Sequence, residues 1–174
     1  MPNVITHGLM AHEVVQLLDD SMVADAIAAY PRLFFFGSNG PDFLFYYRFM
    51  SKDDDAYEIR ELGSLFHDAH INEFYTVGKE LVKHFEEPYK SMTLSYLAGH
   101  LCHWALDSLA HPYVFHKTGL IEGDTRYDHY RMEAMIDTLV VKRIRQDKYR
   151  DIPSYNFVKL TKNERNLVAK VYQS

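Results

Sequence analysis

Apolar side chains recur three or four residues apart along nearly the whole chain, the spacing of helices with one buried face. Leu9, Met10, Val14, Leu17 and Leu18 mark a helix over 4–18. Asp19, Asp20 and Ser21 supply N-cap chemistry for a second over 22–29, which Pro31 stops. Long helical patterns follow over 56–87, 91–111 and 124–150, punctuated by Pro88, Pro112 and Pro153. Asp53, Asp54 and Asp55 suit the positive N-terminal end of the first of these. Thr161 to Glu164 spells a capping box that opens a last helix over 162–172. Gly37, Ser38, Asn39 and Gly40 mark a loop within 33–41. The stretches 33–36 and 43–47 are too short for periodicity to assign, and nothing alternates long enough for a strand. With no repeat and no linker, the expectation is an all-α, single-domain helical bundle over 1–174. The last helix reaches the chain's end without an evident cap, which leaves a C-terminal truncation open.

Composition narrows the picture. A chain of 174 residues fits one domain, and 47% apolar with 25% charged residues can bury a core. The net charge of -5 argues against a nucleic-acid partner, which would need a basic footprint. The one cysteine, Cys102, cannot form an internal disulfide. The start lacks the basic and apolar regions of a signal peptide, and no apolar run approaches the roughly 18 residues of a spanning helix. These absences point to a soluble, cytoplasmic protein. Histidine changes the question: four of the ten, His100, His103, His111 and His116, crowd one short stretch.

On a helix, His103, Asp107 and His111 are spaced i, i+4, i+8 and stack on one face. An imidazole, a carboxylate and an imidazole so aligned form a ligand set for a divalent metal. His100 either joins that face or hydrogen-bonds to it from behind. His129 and Glu133 repeat the i, i+4 spacing on the next helix, where facing helices commonly complete a metal site. An isolated His–Glu pair reads equally well as a surface ion pair. Asp42 ends a Gly/Pro-rich loop, His7 opens the first helix, and His67 and His70 add imidazoles to 56–87. A His or Asp on most elements is the pattern of a cluster buried between helices. Phe43, Phe45, Tyr46 and Tyr47 beside Asp42 read either as core filling with surface tyrosines or as an acyl-chain or choline surface.

In this order, Thr6-His7, Gly40-Pro41-Asp42, His67 through Phe74, His103-x-x-x-Asp107 with His111-Pro112, and His129-x-x-x-Glu133 resemble the bacterial zinc-dependent phospholipase C family. The resemblance runs from about residue 3 to residue 138. It implies a helical bundle around two or three zinc ions and hydrolysis of phospholipid phosphodiesters to diacylglycerol and a phosphorylated head group. By position it implies a first metal on Asp42, His67, His103 and Asp107, and a second on His111, His129 and Glu133. A third would use His7, with Asp107 bridging it to the first, and Asp42 would serve as general base. The secreted enzymes of that family bind the third metal through a mature N-terminal tryptophan. Here the chain starts Met1-Pro2 and its one Trp is Trp104. The step from Asp107 to His111 is also shorter than in those enzymes, which makes His116 or His70 alternative ligands.

The expected mechanism uses zinc-bound hydroxide as nucleophile on a phosphoester small molecule or a phospholipid. Cys102, one residue from His103, points off the ligand face. The His67-Asp68 dipeptide is also similar to the HD phosphohydrolases, which leaves the other two helical pairs unexplained. Single-strand nucleases with a related zinc site are disfavoured by the acidic charge. A metal-binding or interaction module of the same fold without turnover is the remaining alternative.

Overall fold

A computed structural model describes residues 4–123, 125–144 and 157–174. Eight α-helices follow in order: α1 Val4–Leu17, α2 Met22–Ala29, α3 Pro31–Gly37, α4 Asp54–Asp68, α5 Ile71–His84, α6 Tyr89–Thr118, α7 Thr125–Ile144 and α8 Lys162–Gln173. A short 3-10 helix, Asp42–Tyr46, precedes α4. Among the described residues there is no strand. Met1 to Asn3, the end of the 124–150 pattern, Pro153 and the Asp68 side chain lie outside the described set.

The capping signals act where the sequence puts them. Ser21 accepts the amide of Ala24 at the start of α2. Thr161 and Glu164 form a reciprocal capping box on α8. The Glu164 carboxylate also accepts from Arg32 Nε at 3.1 and 3.2 Å, tying α8 to α3.

Three expectations need correction. The loop marked by Gly37 to Gly40 starts one residue later, since Gly37 ends α3; the unassigned 33–36 is helical, with Pro31 in the first turn and Leu33 and Phe34 fully buried. The 56–87 pattern is two helices, α4 and α5, because His70 adopts a left-handed backbone (φ 61°). In an unbroken helix Phe66 and Phe74 would stand about 12 Å apart along the axis. The break brings their rings to 5.7 Å. The third correction concerns Pro112, which lies inside α6 instead of ending it at residue 111. Its missing amide costs a helix roughly 3 kcal/mol. Fully buried Val114 anchors α6 on the far side of the proline.

α6 is the axis of the fold, with α1, α2, α3, α5, α7 and α8 all packed on it. Its N-terminal half, with Met92, Tyr96 and Leu97, joins Leu33, Phe74, Leu167, Val168 and Val171 in the main apolar cluster. α3 approaches α6 closely enough that a Cβ at Gly99 would stand 2.0 Å from the Phe34 carbonyl oxygen. A Cβ at Gly37 would stand 2.3 Å from that of Tyr96. That backbone contact aims the turn after α3 at the C-terminal half of α6.

Candidate metal centre

The C-terminal half of α6 presents His103, Asp107 and His111 at one-turn intervals, as their spacing predicts. His103 and Asp107 are buried and His111 is partly so. Four other elements bring a side chain to this stripe: α1 brings His7, the 3-10 helix Asp42, α4 His67, and α7 both His129 and Glu133. The ligand atoms fall into three groups, each within 4.8 Å: His7, His103 and Asp107; Asp42, His67 and His103; His111, His129 and Glu133.

The tightest convergence is between Asp42, His67, His103 and Asp107. His67 Nε2 lies 3.0 Å from Asp42 Oδ1 and 3.8 Å from Asp107 Oδ2. His103 Nε2 lies 3.2 Å from Asp107 Oδ2, 3.3 Å from His67 Nε2 and 3.8 Å from Asp42 Oδ1. A tetrahedron of ligands about 2.0–2.1 Å from a zinc ion has edges of about 3.3 Å, a spacing that Asp42, His67 and His103 approach around one point, with Asp107 adjoining through His103. The other Asp107 oxygen, Oδ1, faces His7 Nε2 at 3.2 Å, so this one carboxylate addresses two groups. In the third group, Glu133 Oε1 lies 2.8 Å from His129 Nε2 and 3.7 Å from His111 Nε2.

A direct observation tests whether cations suit these groups. His7 Nε2, Asp42 Oδ1, both Asp107 oxygens and His111 Nε2 are buried with no hydrogen-bond partner among the described residues. Each lies 3.0–3.7 Å from an imidazole or carboxylate of the same centre. Buried polar atoms in this state are costly unless something else satisfies them. A divalent cation does so.

Surrounding groups fix the rings. His67 Nδ1 donates to the Gly63 carbonyl at 2.7 Å, which turns Nε2 toward Asp42 and His103. Phe45 stacks on the same ring at 5.5 Å. Gly40 has φ 53°, and a Cβ there would stand 2.1 Å from the His103 ring, so both conformation and space call for glycine. Asn39 Nδ2 donates to the carbonyls of Phe35 and Phe157 at 3.0 and 3.3 Å, holding the turn that carries Gly40 and Asp42.

Electrostatics follow from burial. Burial raises the Asp42 carboxyl above its ordinary value, outweighing the lowering by His67. Burial opposes a charge on His67, but the Asp42 carboxylate outweighs it and raises that imidazole. Asp107 is buried too, yet contact with His7 and the field of His103 hold it well below the usual carboxylate range. Burial lowers His103 strongly, lowers His111, and takes His129 down to about 4. Neutral imidazoles and ionised carboxylates are the forms that ligate.

All eight candidate residues thus lie in the three groups, and the proposed substitutes do not. His116 is exposed, and His70 is exposed with Glu73 at 3.8 Å. His100 is buried but joins none of the groups: its Nδ1 meets the Tyr75 hydroxyl at 2.9 Å and its ring stacks on Phe74. Cys102 packs away from the centre with Ala11, Ile27 and Phe34. Asp137 was missed by the sequence reading. Its carboxylate accepts from the amides of Ile5 and Thr6 at 3.3 and 3.0 Å and from the Thr6 hydroxyl, capping α1 directly before His7. The signal was available, since His129, Glu133 and Asp137 repeat the i, i+4, i+8 spacing of α6.

No helix among the described residues is long and apolar enough to cross a membrane. No curated protein and no solved structure matches the chain. A family model described as zinc-dependent phospholipase C matches residues 6–174, nearly the whole chain, a span that contains the three groups. The chain belongs to the zinc-dependent phospholipase C family.

Proposed function

We propose that this chain is a zinc-dependent phosphoester hydrolase that cleaves phospholipid phosphodiesters on the glycerol side of the phosphate. The observation that carries the reading is the convergence of imidazole and carboxylate atoms from five elements into three groups, each within 4.8 Å, in a chain of this family. Asp42, His67, His103 and Asp107 would hold one zinc, and His111, His129 and Glu133 a second. His7 and the outer oxygen of Asp107 would begin a third site. Bound zinc supplies Lewis acidity toward a phosphoryl oxygen and makes water nucleophilic near neutral pH.

The protein's own groups do the rest. Asp42, whose carboxyl burial holds above its ordinary value, would orient the attacking water and accept its proton. His67 steadies Asp42 from 3.0 Å and is itself fixed by Gly63. Asp107 stays ionised and holds the two neighbouring groups in register through its separate oxygens. No nucleophilic side chain is needed: Cys102 packs elsewhere and its thiol is pushed up to about 11 by burial.

The test is zinc content by atomic spectroscopy, paired with hydrolysis of a chromogenic para-nitrophenyl phosphodiester. Wild-type protein is expected to hold at least two zinc ions per chain and to lose turnover on chelation. Full zinc content in both His103→Ala and Asp107→Ala would contradict the assignment. Bound zinc with no phosphoester turnover would instead identify a metal-binding module that has lost catalysis.

A further inference from the structure

The turn between the 3-10 helix and α4 carries large apolar side chains that the fold does not use. Tyr46 is 61% exposed, Phe49 68% and Met50 84%, with Tyr47 at 46% beside them. Isolated exposed apolar residues are ordinary, whereas a contiguous group beside a functional centre marks a contact surface.

The turn is braced rather than slack. Arg60 of α4 donates to the carbonyls of Tyr47, Arg48 and Ser51 at 3.2, 3.1 and 3.3 Å. Arg48, at φ 41°, pairs with Asp53 at 2.5 Å. These polar contacts hold the turn's backbone to α4, while its apolar side chains stay exposed to solvent.

Its position ties it to the centre. Tyr46 shares the 3-10 helix with Asp42, about 8 Å further along at roughly 2 Å per residue. Phe45, directly before Tyr46, stacks on the His67 ring at 5.5 Å. Tyr130 directly follows His129 on α7 and is 55% exposed. Tyr46 and Tyr130 each directly follow a residue that meets or belongs to the centre, and the exposed Phe49 and Met50 continue the chain from Tyr46.

We propose that Tyr46, Tyr47, Phe49 and Met50 form an interfacial anchor that seats the protein on a phospholipid surface with the metal centre facing the head groups. The inference rests on the phospholipid reading given above. A phospholipid's phosphoester lies in the interfacial plane of a bilayer, so the enzyme must present its centre there. Tyrosine suits that layer, being apolar in its ring and polar at its tip, and Phe49 and Met50 suit the acyl region beyond it. Asp53, Asp54 and Asp55 follow at once, so anionic lipid is not the attraction. Apolar insertion drives binding, and it is insensitive to salt.

The test is sedimentation of zinc-loaded protein with extruded phosphatidylcholine vesicles, beside turnover of the soluble para-nitrophenyl ester. The double variant Phe49→Ser/Met50→Ser is expected to bind vesicles about tenfold or more weakly and to keep wild-type turnover of the soluble ester. In Phe49→Trp the new indole emission should shift to the blue on vesicles, while Trp104 in the wild type does not shift. Three results would overturn the anchor: unchanged binding in the double variant, a blue shift of Trp104 itself, or binding confined to anionic vesicles and abolished by salt. Loss of self-association in the double variant, with no vesicle binding by the wild type, would assign the patch to a second copy instead. Failure of the hydrolase reading is separate: it appears as absent turnover of the soluble ester, whatever the vesicles show.

Discussion

The two halves of α6 use one helical period for opposite ends. In the N-terminal half, Met92, Tyr96 and Leu97 face inward and close the main apolar cluster. In the C-terminal half, the inward positions are His103, Asp107 and His111, whose atoms find few hydrogen-bond partners among the described residues. Removing apolar surface from water stabilises the first half by about 25 cal/mol per Å². Burying unpartnered imidazole and carboxylate atoms costs the second half stability until a cation satisfies them. One half of the helix holds the fold together so that the other can be held in an unfavourable arrangement, which is the general relation between scaffold and site.

Substitutions should separate the two halves. The largest effect is expected from His103→Ala or Asp107→Ala, which remove a group shared between sites. Turnover should fall roughly 10³-fold or more, several kcal/mol of transition-state stabilisation, together with loss of zinc by atomic spectroscopy. Leu97→Ala, in the apolar half, should instead cost about 2–5 kcal/mol in denaturant unfolding and leave zinc stoichiometry unchanged. If Leu97→Ala stripped zinc while the protein stayed folded, the two halves would not be separable.

Smaller changes sharpen the boundary between the halves. Gly40→Ala forces a left-handed alanine, costing roughly 1–2 kcal/mol, and drives its methyl against the His103 ring. Zinc affinity should drop about 10–100-fold, the scale seen when a ligand's support is disturbed. An unaltered affinity in a zinc-binding competition assay would show that the ring does not need this cradle. Acid provides the mildest test. Burial lowers His129 to about 4, so below pH 6.5 the unfolded chain takes up a proton that the folded, zinc-free protein resists. Unfolded chains then bind more protons, and the stability of the zinc-free protein should fall as pH drops from about 6.5 toward 4. His111 and His103, lowered by burial too, act in the same sense, while the raised His67 and Asp42 oppose them. Urea midpoints measured across that range check the direction, and a midpoint rising toward pH 4 would contradict it.

How much of this could be read from residues alone depended on whether the signal was local. Ser21 and the Thr161–Glu164 box mark helix starts because capping involves only neighbours, and both act as expected. The break at His70 carries no Gly or Pro, and arises because Phe66 and Phe74 must reach the same cluster. Pro112 carries a strong stop signal, yet α6 runs through it, with Val114 fully buried beyond it. The same division holds at the centre. Spacing alone put His103, Asp107 and His111 on one face, and paired His129 with Glu133. That Asp42, His67 and His7 arrive at that stripe is a tertiary fact, which the family resemblance implied and no local pattern contained. Asp137 shows the converse: its spacing was legible, and its partner, the start of α1, lay 131 residues away.

Zinc K-edge X-ray absorption on the purified, active protein tests the central claim most directly. The account predicts a first shell of nitrogen and oxygen alone at about 2.0–2.1 Å, with the outer-shell scattering of imidazole rings. A sulfur shell at about 2.3 Å would place the metal on Cys102, and a protein that turns over substrate with no bound metal would leave the converging histidines without a role.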